Sequence, residues 1–220
     1  MKQLFKLYKT LLQERLDKKT LLTFGEDSIR YDFFAALLET YNFRPSQIQL
    51  EVAIDGQTFI PLANKNSFRS EKPLIDLVVI EKELNISVEF GLFRQNSNDK
   101  GTINKTNRIV KMLNDMIRVS LESYFTDTKG LFICVADHKM LGHQLRSQIL
   151  DRFPCDYYIT NDIINHQLQQ RTNNFDLRFL KVFQPMNKSI TSKLVYNELL
   201  EAKNVLNETR LLIWDVSLNI

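Results

Sequence analysis

PLIDLVVIEKELNISVEFGLFRQ, residues 73–95, holds two β-rich runs, expected as strands over 74–81 and 86–93, on either side of a charged turn. Each run carries one acid among Val, Ile, Leu and Phe: Asp76 in the first, Glu89 in the second. A carboxylate in such surroundings is costly to desolvate unless it has a partner. In an antiparallel hairpin turning at Lys82-Glu83, residues equally far from the turn face each other. Asp76 and Glu89 are such a pair, with Cβ atoms roughly 5 Å apart. Two carboxylates that close repel, and a divalent cation between them resolves the repulsion.

The residues that follow the hairpin are basic. From Arg94 to Arg118 there are six cationic residues, Arg94, Lys100, Lys105, Arg108, Lys111 and Arg118, against Asp99 and Asp115. The excess exceeds the +3 of the whole chain. A basic surface beside a carboxylate pair suits an anionic substrate such as nucleic acid.

Working outward, hydrophobic spacing predicts helices over 2–17, from Ser28 to Tyr41, and over 105–125. Strands are expected at 47–54 and at GLFICVA (130–136), whose unbroken apolar run fits a strand buried on both faces. Asp55-Gly56 reads as a hairpin turn with TFIPL as its return strand. Asp137 is expected to cap a helix carrying Met140, Leu141 and Leu145. Further expectations are a strand at 156–160, a helix near 162–170, a strand FDLRFLKVF (175–183), a helix over 190–206 and a final strand at 211–218. This order gives an α/β protein, a mixed sheet with helices on its faces. A single domain over 1–220 is expected, with a core at about 29–160 and an elaboration from 161.

Fifteen Phe and few Gly and Pro exclude a disordered chain. Two cysteines supply no disulfide framework, so a cytoplasmic protein is expected. No apolar run approaches the length of a membrane span. Six glycines and no Gly-rich phosphate loop argue against a nucleotide-binding fold.

An acid on one strand, a Glu on the next, then a helix and a buried strand resemble the PD-(D/E)xK nuclease superfamily, whose type II restriction endonucleases are of this size. The likeness covers roughly 30–160. It implies a restriction-endonuclease-like core with Asp76 as first acid, Glu89 as second and the Phe90 carbonyl completing a ligand set for Mg2+, with Mn2+ as the alternative. It further implies that the 105–125 helix lies against DNA. The chain departs from the pattern where the triplet's lysine should stand, at Gly91. Lys105 and Arg108 are the candidates to supply the missing cation. Glu39 on the preceding helix is weighed as an assisting acid and as a solvated one.

Asn, Gln and Arg in polar loops can bond base edges in the major groove, although turns favour the same residues. The candidates are Arg94, Gln95, Asn96, Asn98, Lys100, Asn104, Lys105, Asn107 and Arg108 in one loop, and Arg171 and Asn173 in another. A first loop offers Asn64, Lys65, Asn66 and Arg69. The function expected is site-specific hydrolysis of double-stranded DNA by a Mg2+-dependent homodimer, joined through the N-terminal or the 190–206 helix. The alternative is a catalytically inactive nuclease-fold protein that binds nucleic acid or a protein partner.

Overall fold

In the computed structural model, which describes residues 1–61, 73–95, 104–145, 148, 150–170, 175–205 and 207–219, every strand joins one sheet. The strands are β1 (Ile48–Ala53), β2 (Leu74–Glu81), β3 (Leu84–Phe93), β4 (Lys129–Asp137), β5 (Tyr157–Ile159), β6 (Ser189–Leu199) and β7 (Thr209–Asn219). The helices among the described residues are α1 (Lys2–Lys18), α2 (Glu26–Tyr41), α3 (Lys105–Thr126), α4 (Asn161–Gln170) and α5 (Leu177–Met186). The protein is thus α/β, with a seven-stranded mixed sheet in the order β1-β2-β3-β4-β7-β6-β5. Only β3 and β4 run parallel among the described strands, and α3 is the crossover between them. β7 lies beside β4, so the C-terminal residues build the middle of the sheet.

Strand alternation divides the core into two layers. Even-numbered residues of β3, such as Val88 and Phe90, pack with Ile133 and Ile213 under α1 and α2. The opposite face packs Phe93, Phe132 and Trp214 against Met112, Met116 and Val119 of α3 and Phe183 of α5. Trp214 anchors that layer: Phe132, Phe153 and Tyr157 lie with ring centroids 5.7, 6.0 and 6.2 Å away, and its Nε1–H donates to the Cys155 carbonyl at 2.7 Å. α3 is amphipathic: its Ile109, Met112, Leu113, Met116, Ile117 and Leu121 are buried. Asn104 caps its start by accepting from Asn107 N–H at 3.1 Å.

Four expected elements differ. The 190–206 segment is strand β6, not a helix, up to Leu199. Ile190, Ser192 and Leu194 pair with Leu218, Val216 and Trp214 of β7, and a bulge at Val195 disguises the strand period as a helical one. FDLRFLKVF holds helix α5, not a strand. Its apolar residues fit both periods, and burial of Phe179, Leu180 and Phe183 selects the helical stripe, with Asp176 accepting from Arg178 N–H as N-cap. TFIPL does not return as a strand. Glu122 of α3 binds the turn through Thr58 Oγ1 at 2.8 Å, and Ile60 N–H donates to the Arg178 carbonyl, so the chain leaves the sheet and β2 pairs with β1 instead. Asp137 caps no helix: it extends β4 and receives Gln95 N–H at 2.6 Å, and the chain then turns at Gly142, φ +71°.

Gly130, at the start of β4, is a place of close approach. A Cβ there would meet the Val216 carbonyl oxygen at 2.6 Å and Ser123 Oγ at 2.9 Å. The Ser123 side chain can turn, but the Val216 backbone is held in the β4–β7 ladder. Gly130→Ala is expected to lower stability by about 1–3 kcal/mol, measured as a shift of the urea unfolding midpoint.

Candidate active site

The β2–β3 hairpin has the register that its sequence predicts. Glu81–Leu84 flank the Lys82-Glu83 turn, and the ladder runs back to Leu77–Val88. Asp76 and Glu89 would be the next pair, and there side chains replace the ladder. Asp76 Oδ2 accepts Phe90 N–H at 2.8 Å. β2 also changes face at this point: Ile75 and Val78 share the α3 layer, whereas Leu77 and Val79 lie in the other. Glu51, between the β1 residues that pair with Leu77 and Ile75, has φ +52°. A left-handed non-glycine conformation is a local strain of the kind that gathers at functional sites.

The kink turns Asp76 towards α2, where Arg30 donates to Oδ1 at 3.0 Å. Arg30 also donates to Glu51 at 3.1 Å. Glu89 keeps to the α3 layer and is 1% exposed. Its Oε2 accepts from Arg118 Nη2 at 2.9 Å, and its buried Oε1 has no hydrogen-bond partner among the described residues. The same Nη2 donates to Asp115 Oδ1 at 2.6 Å. Lys111 completes the cluster: its Nζ donates to Asp115 Oδ2 at 3.1 Å, Glu26 Oε2 at 3.3 Å and the Phe90 carbonyl at 3.3 Å. Glu26 in turn accepts Leu92 N–H at 3.3 Å.

Four acids and three bases from α2, β2, β3 and α3 therefore converge on the Phe90 peptide. Burial pushes the Glu89 carboxyl well above the ordinary carboxylate range, with Arg118 opposing it. Burial also raises Glu26. Burial works against the Lys111 ammonium, but Asp115 and Glu26 outweigh it and its pKa is raised. Lys111 thus holds its proton and acts as a fixed positive charge. Arg118 is likewise disfavoured by burial and held charged by Glu89 and Asp115. Beside the cluster opens a hollow of about 340 Å3, lined by Asn107, Lys111, Asn114, Asp115, Arg118, Asp176 and Phe179.

Gly91 shares Glu89's face of β3, and the space for a side chain there is closed. A Cβ would meet Phe132 Cζ at 3.0 Å and Phe93 Cε1 at 3.1 Å. On the following helix it is Lys111 whose ammonium reaches the Phe90 carbonyl. Neither Lys105 nor Arg108 has a hydrogen bond or ion pair to Asp76 or Glu89 among the described residues. Lys105 lies near His143, whose pKa is lowered by burial and by that lysine. The helix acid at the site is Glu26, in the first turn of α2, whereas Glu39 is exposed. Arg94 donates to the Phe24 carbonyl at 3.0 and 3.2 Å. Gln95 N–H is bound to Asp137, and Asn104 is the α3 cap. Asn107 lines the hollow. Asn64, Lys65, Asn66, Arg69, Asn96, Asn98, Lys100, Arg171 and Asn173 lie outside the described residues.

Lys111, Asp115 and Arg118 stand at helical spacing on one stripe of α3, opposite its apolar face. That stripe was open to reading from the sequence; its meeting with Asp76 and Glu89 was not. Among the described residues, no three His, Cys, Asp or Glu side chains form a metal-holding group. No helix among them is long and apolar enough to cross a membrane. No protein-family model, curated protein or solved structure matches the chain.

The raised pKa of Glu89 has a stability consequence. The folded chain keeps this proton to higher pH than the unfolded chain does. The contribution is therefore fully present at low pH and is lost as pH rises from the ordinary carboxylate range through the raised value. Glu89→Gln removes that dependence. Its melting temperature should gain steadily on wild type as pH rises above the ordinary carboxylate range in scanning calorimetry. Parallel pH profiles for the two proteins would contradict the burial account.

Proposed function

We propose that the protein is a Mg2+-dependent endonuclease acting on double-stranded DNA, of the PD-(D/E)xK type II restriction kind, working as a cytoplasmic homodimer. The observation that carries this reading is Lys111 Nζ at 3.3 Å from the Phe90 carbonyl, between the elements that bear Asp76 and Glu89. It supplies from α3 the positive charge that Gly91 lacks. Support also comes from the sheet: Asp76 stands on the second strand and Glu89 on the third, and α3 follows directly.

Asp76, Glu89 and the Phe90 carbonyl would hold the ion, and the unpartnered Oε1 of buried Glu89 is a donor in want of one. All three are oxygen donors, which suit Mg2+ or Mn2+ better than Zn2+. When bound, the ion supplies charge that neutralises the phosphodiester and acidifies water for attack at phosphorus. Lys111, held protonated by Asp115 and Glu26, would orient the attacking water and stabilise the charge that develops on the phosphate oxygens. Asp115 and Glu26 hold its ammonium in place. Asn107 and Asn114 line the hollow on the same stripe of α3, beside the path of the substrate.

A specific observation favours a second reading, a nuclease-fold protein that binds nucleic acid or a partner without cutting. Each acid is capped by a guanidinium, Asp76 by Arg30 and Glu89 by Arg118. Incubation with plasmid or phage DNA, in Mg2+ and in EDTA, separates the two. Discrete fragments in Mg2+ alone, lost in Asp76→Ala and Glu89→Ala, are expected of the enzyme. A salt-sensitive gel shift without cleavage is expected of the binding protein. For the enzyme, Lys111→Met should slow cleavage by about a hundredfold or more in single-turnover assays while leaving DNA affinity nearly unchanged.

A further inference from the structure

Arg118 is the cation left with the fewest carboxylates if a divalent ion takes Asp76, Glu89 and the Phe90 carbonyl. Arg30 would keep Glu51 and, at 3.6 Å, Asp27 after losing Asp76. Lys111 would cede the Phe90 carbonyl to the ion but keep two carboxylates, Glu26 and Asp115. Arg118 would keep a single carboxylate, Asp115. Its Nε is buried without a partner among the described residues, and its Nη1 reaches the Leu74 carbonyl only at 3.5 Å. Its guanidinium carbon lies 5.9 Å from the Phe179 ring centroid, on the wall of the 340 Å3 hollow. Most of its donors are therefore free to serve an acceptor placed in that hollow.

Charge counting points the same way. Setting aside the exposed Asp27 and Glu51, and the Asp176–Arg178 ion pair, whose acid lines the hollow, the cluster has four carboxylates (Glu26, Asp76, Glu89, Asp115) and three cations (Arg30, Lys111, Arg118). With all ionised it carries one excess negative charge. A divalent cation turns this into one excess positive charge, and a single phosphodiester cancels it. Charge is strongly felt here because Glu89 and Asp115 are almost wholly buried.

Resting on the metal-dependent reading above, we propose that Arg118 is a coupling residue, shared between Glu89 and a substrate phosphate. Without the ion it bridges Glu89 and Asp115 and competes with the ion for Glu89. With the ion in place it pivots on Asp115 and presents its fork to a phosphodiester oxygen in the hollow. Metal and nucleic acid then bind with positive cooperativity, and the free protein holds metal weakly. No covalent step is involved.

Two titrations on the full chain test this. The first is calorimetric titration of Mn2+ alone into wild type and Arg118→Gln. The variant should bind Mn2+ roughly tenfold more tightly, because one charge-assisted hydrogen bond no longer competes. The second measures a labelled DNA duplex by fluorescence anisotropy in Ca2+ and in EDTA. Ca2+ should tighten wild-type binding by about fivefold or more, and the factor should fall towards one in Arg118→Gln. Arg118→Lys keeps the charge but not the fork, and should fold while losing most of the coupling. Circular dichroism melts establish that each variant is folded.

If neither wild type with the duplex present nor folded Arg118→Gln binds Mn2+, both this inference and the metal-dependent reading are overturned. A wild type that binds Mn2+, with Arg118→Gln binding it no more tightly, overturns the role of Arg118 and leaves that reading standing. Wild-type coupling in a folded Arg118→Gln or Arg118→Lys protein overturns it as well.

Discussion

The burial of one carboxylate, Glu89, governs the arrangement around it. A charge so removed from water is tolerable only with a partner at hydrogen-bond distance, and Arg118 is that partner. Arg118 is itself nearly enclosed, so it needs Asp115, and Asp115 draws in Lys111, which reaches Glu26. The cluster is a chain of alternating charges leading from the strand core to the solvent edge of α3. Such chains are poor sources of stability, because desolvation cancels most of the Coulombic gain and apolar residues of similar volume do as well or better. The sheet around Glu89 has the apolar residues to do so, with Phe132 and Phe93 against the next inward position. A charged cluster kept in such a place is better understood as a working site than as a staple.

The fold puts this cluster where it is through two features. The tight Lys82-Glu83 turn fixes the hairpin register and brings Asp76 level with Glu89. The parallel β3–α3–β4 unit then lays one stripe of α3 across the end of β3 that bears Glu89 and Phe90. Between them, the kink at Glu51 and the change of face in β2 turn Asp76 away from the α3 layer, so the two acids approach the Phe90 peptide from different sides. Each acid takes its own guanidinium, from α2 and from α3.

The hairpin and its register were legible because both depend on local quantities, strand period and turn length. The same holds for α1, α3, β4 and β7, whose apolar patterns extend over many residues. Two of the four misread elements had patterns that fit two periods. In FDLRFLKVF the apolar residues suit either a strand or a helix, and contact with α3 decided it. In β6 the bulge at Val195 shifted alternation midway, which imitates helical spacing. At the site, the sequence displayed both acids and Gly91, but not which cation of α3 reaches the Phe90 carbonyl. Lys105 and Arg108 were nearer in sequence, yet Lys111 is the residue whose Nζ meets the Phe90 carbonyl. That depends on where α3 crosses the sheet, a tertiary fact that no local pattern encodes. Glu26 escaped notice for the same reason, since only the packing of α2 against β3 brings it near Leu92.

The two cations on α3 do different physical work, although each contacts Asp115. Lys111 is a compact charge held by two carboxylates, Asp115 and Glu26, besides the Phe90 carbonyl, and together they raise its pKa. Arg118 is a fork with unused donors, tied to an acid that a divalent ion would claim. A fixed charge can stabilise a transition state without reorganising. A charge that must change partners can instead make one binding event depend on another. Gly91 is what permits this division. With its side-chain space closed by Phe132 and Phe93, the strand contributes only carboxylates and a carbonyl, and every cation that serves them comes from a helix.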